Sequence, residues 1–138
     1  SVKECRCSEV EIQRYKNRLS EPFLDRIDLY LVMNDSFSDN KNIVSSTELH
    51  QNVIKAFIKQ KSRGQKELNG KLSDEDIKKY CLLDDDSIEI LEKARLNYSL
   101  SFRSINKVLK VARTIADLND NDIITKSDLL KSLNFRRR

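Results

Sequence analysis

Hydrophobic residues recur every three or four positions along most of the chain after residue 44, which is the spacing of one face of an amphipathic helix. This pattern predicts five helices, each following a residue that can cap it: Ser45 or Ser46, Ser73, Asp84, Ser101 and Thr125. The most regular helix covers residues 102–118, and its apolar face consists of Ile105, Val108, Leu109, Ala112, Ile115 and Ala116. Because the links are short, residues 45–138 are expected to form a helical bundle.

The first and last of these helices also have apolar faces. The helix that ends near Ser62 has apolar residues at spacings of three and four: Leu49, Val53, Ile54, Phe57 and Ile58. The last helix is expected to bury Leu129, Leu130 and Leu133. Residues 63–71 contain both glycines and are predicted to be a loop.

Residues 1–44 have a different pattern. A helix is predicted over residues 8–20, which Ser8 can cap and Pro22 breaks. Residues 27–33 form a short apolar run, which predicts a buried strand. A lone strand cannot satisfy its own backbone groups, so it is expected to pair outside this sequence or with another copy. Residues 1–44 are therefore predicted to be a piece of a larger domain, ending in the polar linker 34–44.

Composition narrows the fold class. The 138 residues include two glycines and one proline, too few for the many tight turns of a β-sandwich or barrel. No apolar run approaches the roughly 18 residues of a membrane span, and no signal peptide opens the chain. We therefore expect a mainly α-helical protein with no membrane partner.

The net charge of +4 is unevenly distributed. Residues 1–44 hold seven Lys or Arg and eight Asp or Glu, whereas residues 45–138 hold 19 and 14 and end in the tail Arg136-Arg137-Arg138. A weakly basic helical region is compatible with binding to nucleic acid or to a nucleotide.

The three cysteines, an odd number, do not form a disulfide framework, which favours a reducing, cytoplasmic setting. Cys5 and Cys7 lie one residue apart and can share a zinc ion, but a closed structural site needs four ligands. Cys81 lies far away in the sequence. Within this chain two free thiols are favoured over zinc, and cysteines upstream would reverse that preference.

Other candidate sites are weak. The stretch from Gly64 to Gly70-Lys71 fails as a phosphate loop because its glycine spacing is wrong and Leu72 replaces the Ser or Thr. His50, the single histidine, lies on a predicted helix without a nucleophile nearby. The run Asp84-Asp85-Asp86 is better explained by helix capping than by metal binding.

Two arginines stand in informative positions. Arg26 lies between the loop at Pro22 and the predicted strand. Arg103 lies in the first turn of the most regular helix, where exposed amides and the helix dipole favour phosphate. The polar face that begins at Arg103 continues through Asn106, Lys107, Lys110, Arg113, Thr114 and Asp117. The plainer interpretation of that face is a solvated surface with a structural Arg113–Asp117 pair.

Several stretches together carry a family resemblance. They are Cys5-Arg6-Cys7, residues 12–15, residues 19–29, Gly70 to Ser73, Leu100 to Ser104, Val111 to Leu118 and Phe135-Arg136. They resemble the C-terminal part of the magnesium-chelatase-like AAA+ ATPases of the bacterial competence type, relatives of magnesium chelatase and of the MCM helicases. The strings Leu-Asp-Arg-Ile-Asp and Ala-Arg-Thr-Ile-Ala-Asp-Leu are the most specific. The chain departs from the family at Glu21, where glycine is usual, and lacks the family's upstream cysteine pair.

The resemblance implies that residues 1–44 are the C-terminal remnant of an α/β ATPase core and that residues 45–138 are its helical lid. It implies Arg26 as an arginine finger and Arg103 as the nucleotide sensor of the lid. The longer protein would bind ATP and Mg²⁺, assemble as a ring of identical subunits and remodel DNA. The phosphate loop and magnesium-binding carboxylates would lie upstream, so this chain alone is expected to bind no cofactor tightly and to have no activity.

A rival hypothesis belongs to another functional class. The chain would be a free-standing basic helical module that binds nucleic acid through residues 45–138 and the arginine tail. The upstream gene sequence discriminates between the two hypotheses. A phosphate loop in the same reading frame supports the ATPase fragment, whereas an initiator Met immediately before Ser1 supports the module.

Overall fold

A computed structural model describes residues 7–32 and 44–136. Their helices, in chain order, are α1 (Glu9–Lys16), α2 (Glu21–Leu24), α3 (Ser46–Ser62), α4 (Asp74–Tyr80), α5 (Asp85–Asn97), α6 (Phe102–Leu118) and α7 (Lys126–Asn134). A 3₁₀ turn, Asn69–Lys71, lies between α3 and α4. The mainly α-helical fold class is confirmed, as are the five helices predicted after residue 44.

The bounds of the helices follow from their capping residues. The hydroxyls of Ser45, Ser73 and Ser101 each accept a hydrogen bond from the amide three residues later. At α5 the Asp84 carboxylate accepts from the Ser87 amide at 2.8 Å, so the acidic run caps a helix as predicted. The hydrogen bonds from Ser87 lower the pKa of Asp84.

The core of the bundle surrounds α6, which packs against α7, α3, α4 and the 3₁₀ turn. The buried apolar residues of this core come from several elements: Leu72, Ile77, Cys81, Val108, Ala112, Ala116, Ile124 and Leu129. Val108, Ala112 and Ala116 confirm the predicted face of α6. Burial in this core raises the pKa of the Cys81 thiol to about 11.

Two connections cross beside the core and fix the position of α7. Leu83 and Ile124 form an isolated parallel bridge, and the Ile124 amide donates to the Leu82 carbonyl at 2.7 Å. The Asp84 amide in turn donates to the Ile124 carbonyl at 3.2 Å. The link between α4 and α5 is thereby tied to the link between α6 and α7.

The apolar residues of α3 are placed differently from those of α6. In α3 the buried residues are Ala56 and Gln60, because this edge packs against α6 and the Gln60 side chain accepts a hydrogen bond from the Asn69 amide of the 3₁₀ turn. The five apolar residues identified in the sequence, from Leu49 to Ile58, are each between 42% and 61% exposed. In α7, Leu130 is also exposed, so the prediction that it is buried was wrong. Amphipathic spacing therefore identified these helices but not which side of them is covered.

Residues 7–32 contain the clearest differences from the sequence predictions. The first helix ends at Lys16 rather than near residue 20, and Pro22 lies inside the first turn of α2. Residues 27–32, the described part of the predicted strand, are not in a strand. In this stretch the Tyr30 amide donates a hydrogen bond to the Phe135 carbonyl at 2.8 Å. A strand needs neighbouring strands on which to pair, and the described residues offer no sheet.

None of the helices in the described ranges is both long enough and apolar enough to cross a membrane. The division of the chain at residue 44 into core remnant and lid stays a prediction.

Candidate functional site

The candidate site is an open cleft of about 460 Å³ at the N-terminal end of α6. Its lining consists of Arg26, Asp28, Gly70, Asp74, Phe102, Arg103, Asn106, Lys107 and Lys110. Four of these side chains are basic and two are acidic, so we call it the basic cleft. The two arginines singled out in the sequence, 77 positions apart, thus line one cavity.

Arg103 lies in the first turn of α6, immediately after the Ser101 cap. Its side chain is 57% exposed, and its Nε lies 3.4 Å from Oδ2 of Asp25. An ion pair this exposed contributes little to stability because water and salt screen it. The guanidinium is therefore held near the cleft by a weak contact that a phosphate can replace.

Arg26 lies in the turn that follows α2. Its amide donates to the Phe23 carbonyl at 3.0 Å, and its Nη1 lies 3.4 Å from the Pro22 carbonyl oxygen. The side chain is exposed. Arg26 is held by the α2 turn and by the contacts that Asp25 and Ile27 make to α6.

Lys107 and Lys110 complete the basic side of the cleft, one and two turns after Arg103. The Lys107 Nζ donates to the carbonyls of Asp25 and Ile27 and lies 3.6 Å from Oδ1 of Asp28. The Lys110 Nζ lies 3.4 Å from the Gly70 carbonyl oxygen. Both lysines lie on the polar face predicted for this helix, although the sequence alone indicated no role for either. Their spacing of four and seven from Arg103 was the available signal.

The far end of α6 has a contrasting arrangement. Arg113 is fully buried, and its guanidinium donates to the Asp117 carboxylate at 3.0–3.2 Å and to the carbonyls of Asn121 and Asp122. Asp117 also accepts from Arg63 and from Asn69. The interpretation of this part of the face as solvated was therefore wrong. The predicted Arg113–Asp117 pair is present. It is buried rather than solvated because Arg63 and the 3₁₀ turn cover it.

The remaining sequence candidates lie away from the cleft, apart from Gly70. His50 is exposed on α3. Gly64 follows the C-cap of α3 with φ = +69°, a conformation that glycine adopts without strain. Residues 63–71 thus form a loop with a 3₁₀ turn, as the loop interpretation predicts.

The proposed zinc half-site cannot be located because Cys5 lies outside the described residues, whereas Cys7 is described and exposed. Within the described ranges no three His, Cys, Asp or Glu side chains are grouped to hold a metal ion. Zinc binding by Cys5 and Cys7 stays a prediction.

Comparison with known protein families shows which family this chain belongs to. A family model described as magnesium chelatase, subunit ChlI C-terminal, matches residues 44–136. A second, described as magnesium chelatase, subunit ChlI, matches residues 1–41. The chain belongs to the magnesium chelatase ChlI family. The resemblance found in the sequence is therefore confirmed.

Individual relatives agree with this assignment. Protein YifB of Salmonella typhimurium is 38% identical over 139 residues, covering 95% of this chain and 27% of that protein. YifB of Escherichia coli is also 38% identical, and the competence protein ComM of Haemophilus influenzae is 36% identical over 136 residues. The chain spans about a quarter of the length of these relatives.

Proposed function

We propose that this chain supplies the lid and the end of the core of an AAA+ ATPase, and that the basic cleft contacts the phosphates of ATP. The observation that carries the proposal is that Arg26 and Arg103 line the same cavity. Membership of the magnesium chelatase family supports it, because the family resemblance assigns these two positions to nucleotide contact.

The donor set of the cleft suits a polyphosphate. Guanidinium groups bind phosphate oxygens in a forked geometry, and the ammonium group of Lys110 adds point charge. The first amides of α6 lie beside Arg103, at the positive end of the helix dipole. When Mg²⁺–ATP is bound, the metal ion neutralises charge that develops on the transferred phosphoryl group. The residues of this chain position the phosphates and stabilise the remaining charge.

Arg26 and Arg103 share one cleft, which bears on how neighbouring subunits would cooperate. Because both arginines of a chain line this cleft, we infer that they act on the same nucleotide. If Arg26 serves the ATP of a neighbouring subunit, as an arginine finger does, Arg103 serves that neighbour as well. The catalytic unit would then be a pair of adjacent subunits in a cytoplasmic ring.

The work done with this ATP is proposed to be remodelling of DNA. The relative in Haemophilus influenzae is named a competence protein, which agrees with such a role. The rival hypothesis, a free-standing nucleic-acid-binding module, has the basic charge of residues 45–138 in its favour. The module hypothesis does not explain why Arg26 and Arg103, which are distant in sequence, line one cleft.

Arg26→Ala in the longer protein tests the proposal. An arginine finger contributes roughly 10³–10⁵ in rate, so turnover should fall by about that factor while ATP binding is kept. Arg18→Ala is the matched control, because Arg18 is also exposed near α1 and α2 but lies outside the cleft. Adding subunits that have Arg26 but a dead phosphate loop should restore turnover to the Arg26→Ala protein. Absence of that rescue would show that Arg26 does not act across the subunit interface.

The 138-residue chain alone provides a second test. It lacks a phosphate loop, so we expect neither tight binding of Mg²⁺–ATP nor turnover. Isothermal calorimetry measures the binding, and phosphate release measures the turnover. Micromolar affinity together with hydrolysis by this chain would contradict the proposed division of the ATP site.

A further inference from the structure

Lys107 makes an unusual set of contacts with the segment that carries Arg26. Its Nζ donates to the carbonyl of Asp25 and, at 3.1 Å, to the carbonyl of Ile27. These are the residues on either side of Arg26. The same Nζ lies 3.6 Å from the Asp28 carboxylate.

We propose that Lys107 is a positioning residue that fixes Arg26 against α6 and so sets where its guanidinium stands in the basic cleft. This inference rests on the proposed function. It assigns to Lys107 a role through Arg26 rather than a contact with the nucleotide.

The chemistry of lysine suits this task. An ammonium group has three donors, and here two of them hold the carbonyls that flank a single residue. One of these carbonyls belongs to the peptide group that precedes Arg26 and the other to the peptide group that follows Ile27, so both ends of the Arg26–Ile27 stretch are held against α6. The Lys107 side chain is 18% exposed, so its contacts are screened less than those of the half-exposed Arg103–Asp25 pair.

The position of Lys107 on α6 links two parts of the site. Arg103 is one turn earlier on the same helix and pairs with Asp25, whose carbonyl Lys107 also binds. Because α6 is a continuous 17-residue helix, its movement carries Arg103 and, through Lys107, Arg26 together. Lys110 differs, since its Nζ donates to the Gly70 carbonyl at 3.4 Å rather than to the segment that carries Arg26.

The first test measures the Arg26 segment directly in the 138-residue chain. Lys107→Met keeps an unbranched stem but removes the donors, and Lys110→Met is the matched control. Hydrogen exchange by NMR follows the amides of Ile27 and Tyr30, which donate to the Leu24 and Phe135 carbonyls. We expect exchange of these amides to be about tenfold faster in Lys107→Met, unchanged in Lys110→Met and partly restored in Lys107→Arg. Unchanged exchange in Lys107→Met would overturn the proposal.

The second test is a double-mutant cycle on ATP turnover in the longer protein. Lys107→Met should lower turnover roughly 10- to 100-fold, as misplacement of a catalytic group by about 1 Å does. Combined with Arg26→Ala it should cause no further loss, because the two residues act through one guanidinium. Lys107→Arg should recover part of the activity.

The outcomes separate this inference from the function on which it rests. If Lys107→Met lowers turnover by the same factor in the Arg26→Ala protein as in the wild type, Lys107 does not act through Arg26. That result would overturn the positioning role and leave the proposed function intact. Full turnover in Arg26→Ala would overturn the proposed function. It would also overturn the proposed role of Lys107 in turnover.

Discussion

The two ends of α6 use the same kind of residue in opposite ways. At the far end Arg113 is fully buried, and its Nε, Nη1 and Nη2 all donate to oxygens of the protein. At the near end Arg103 is 57% exposed and pairs with a single half-exposed carboxylate. Every nitrogen of the Arg113 guanidinium has a partner in the fold, whereas the Arg103 guanidinium pairs through its Nε with one carboxylate.

This difference shows how a structural arginine can be told from a candidate ligand-binding one. A buried charge is tolerated only when it is paired and hydrogen-bonded, so the partners of Arg113 account for its presence. No comparable set of partners surrounds Arg103 or Arg26 among the described residues. Under the proposed function, their position beside a cleft with other basic side chains serves to bind the phosphates of ATP.

The largest expected effect on stability is at the far end. Arg113→Ala would leave the Asp117 carboxylate buried with fewer partners and the carbonyls of Asn121 and Asp122 without their donor. Breaking a buried pair in this way costs about 3–5 kcal/mol of the free energy of unfolding. Urea denaturation of the 138-residue chain measures the change. A loss below about 1 kcal/mol would remove the distinction between the two ends of α6.

A smaller effect on stability is expected at Asp128, which is buried in the first turn of α7. Burial raises the pKa of this carboxyl, but hydrogen bonds from Asn121, Thr125 and Asn119 outweigh it, so the pKa lies below 3.8. Asp128→Asn weakens these charge-assisted bonds and should cost about 1–3 kcal/mol at pH 7.

The pH dependence of that cost has a definite sign. A lowered folded-state pKa means that Asp128 stabilises the fold above its unfolded pKa of 3.8, and that this contribution is lost as the pH falls through the folded value. The stability difference between wild type and Asp128→Asn should therefore shrink below about pH 4. Unfolding curves at pH 7 and pH 3 measure it. A difference that stays constant would show that folding does not shift the pKa of Asp128.

The sequence predicted the helices well because their signals are local. Ser45, Ser73 and Ser101 cap where the sequence predicted, since a capping hydroxyl needs only the amide three residues later. The apolar face of α6 was likewise predictable, because this helix is covered by neighbours on several sides.

What the sequence did not predict depends on tertiary contacts. Burial of Arg113 requires Arg63 and Asn69, which lie more than 40 positions away and share its carboxylate partner. Exposure of the apolar residues of α3 depends on which elements reach that helix. The presence of Arg26 and Arg103 in one cleft depends on contacts between the turn after α2 and α6, among them those of Lys107.

The smallest expected effect on stability is at Arg103, at the N-terminal end of α6. Arg103→Ala should change the free energy of unfolding by no more than about 0.5 kcal/mol, as exposed substitutions usually do. Arg95→Ala is the matched control, since Arg95 is 54% exposed and lies 3.7 Å from Glu92 on α5, away from the cleft. Both variants should melt like wild type.

ATP turnover of these two variants in the longer protein tests most directly whether the basic cleft serves ATP. We predict that Arg103→Ala lowers turnover strongly, that Arg103→Lys restores it only in part because the fork is lost, and that Arg95→Ala leaves it unchanged. Full turnover in Arg103→Ala, with its stability intact, would contradict the assignment of the cleft to ATP.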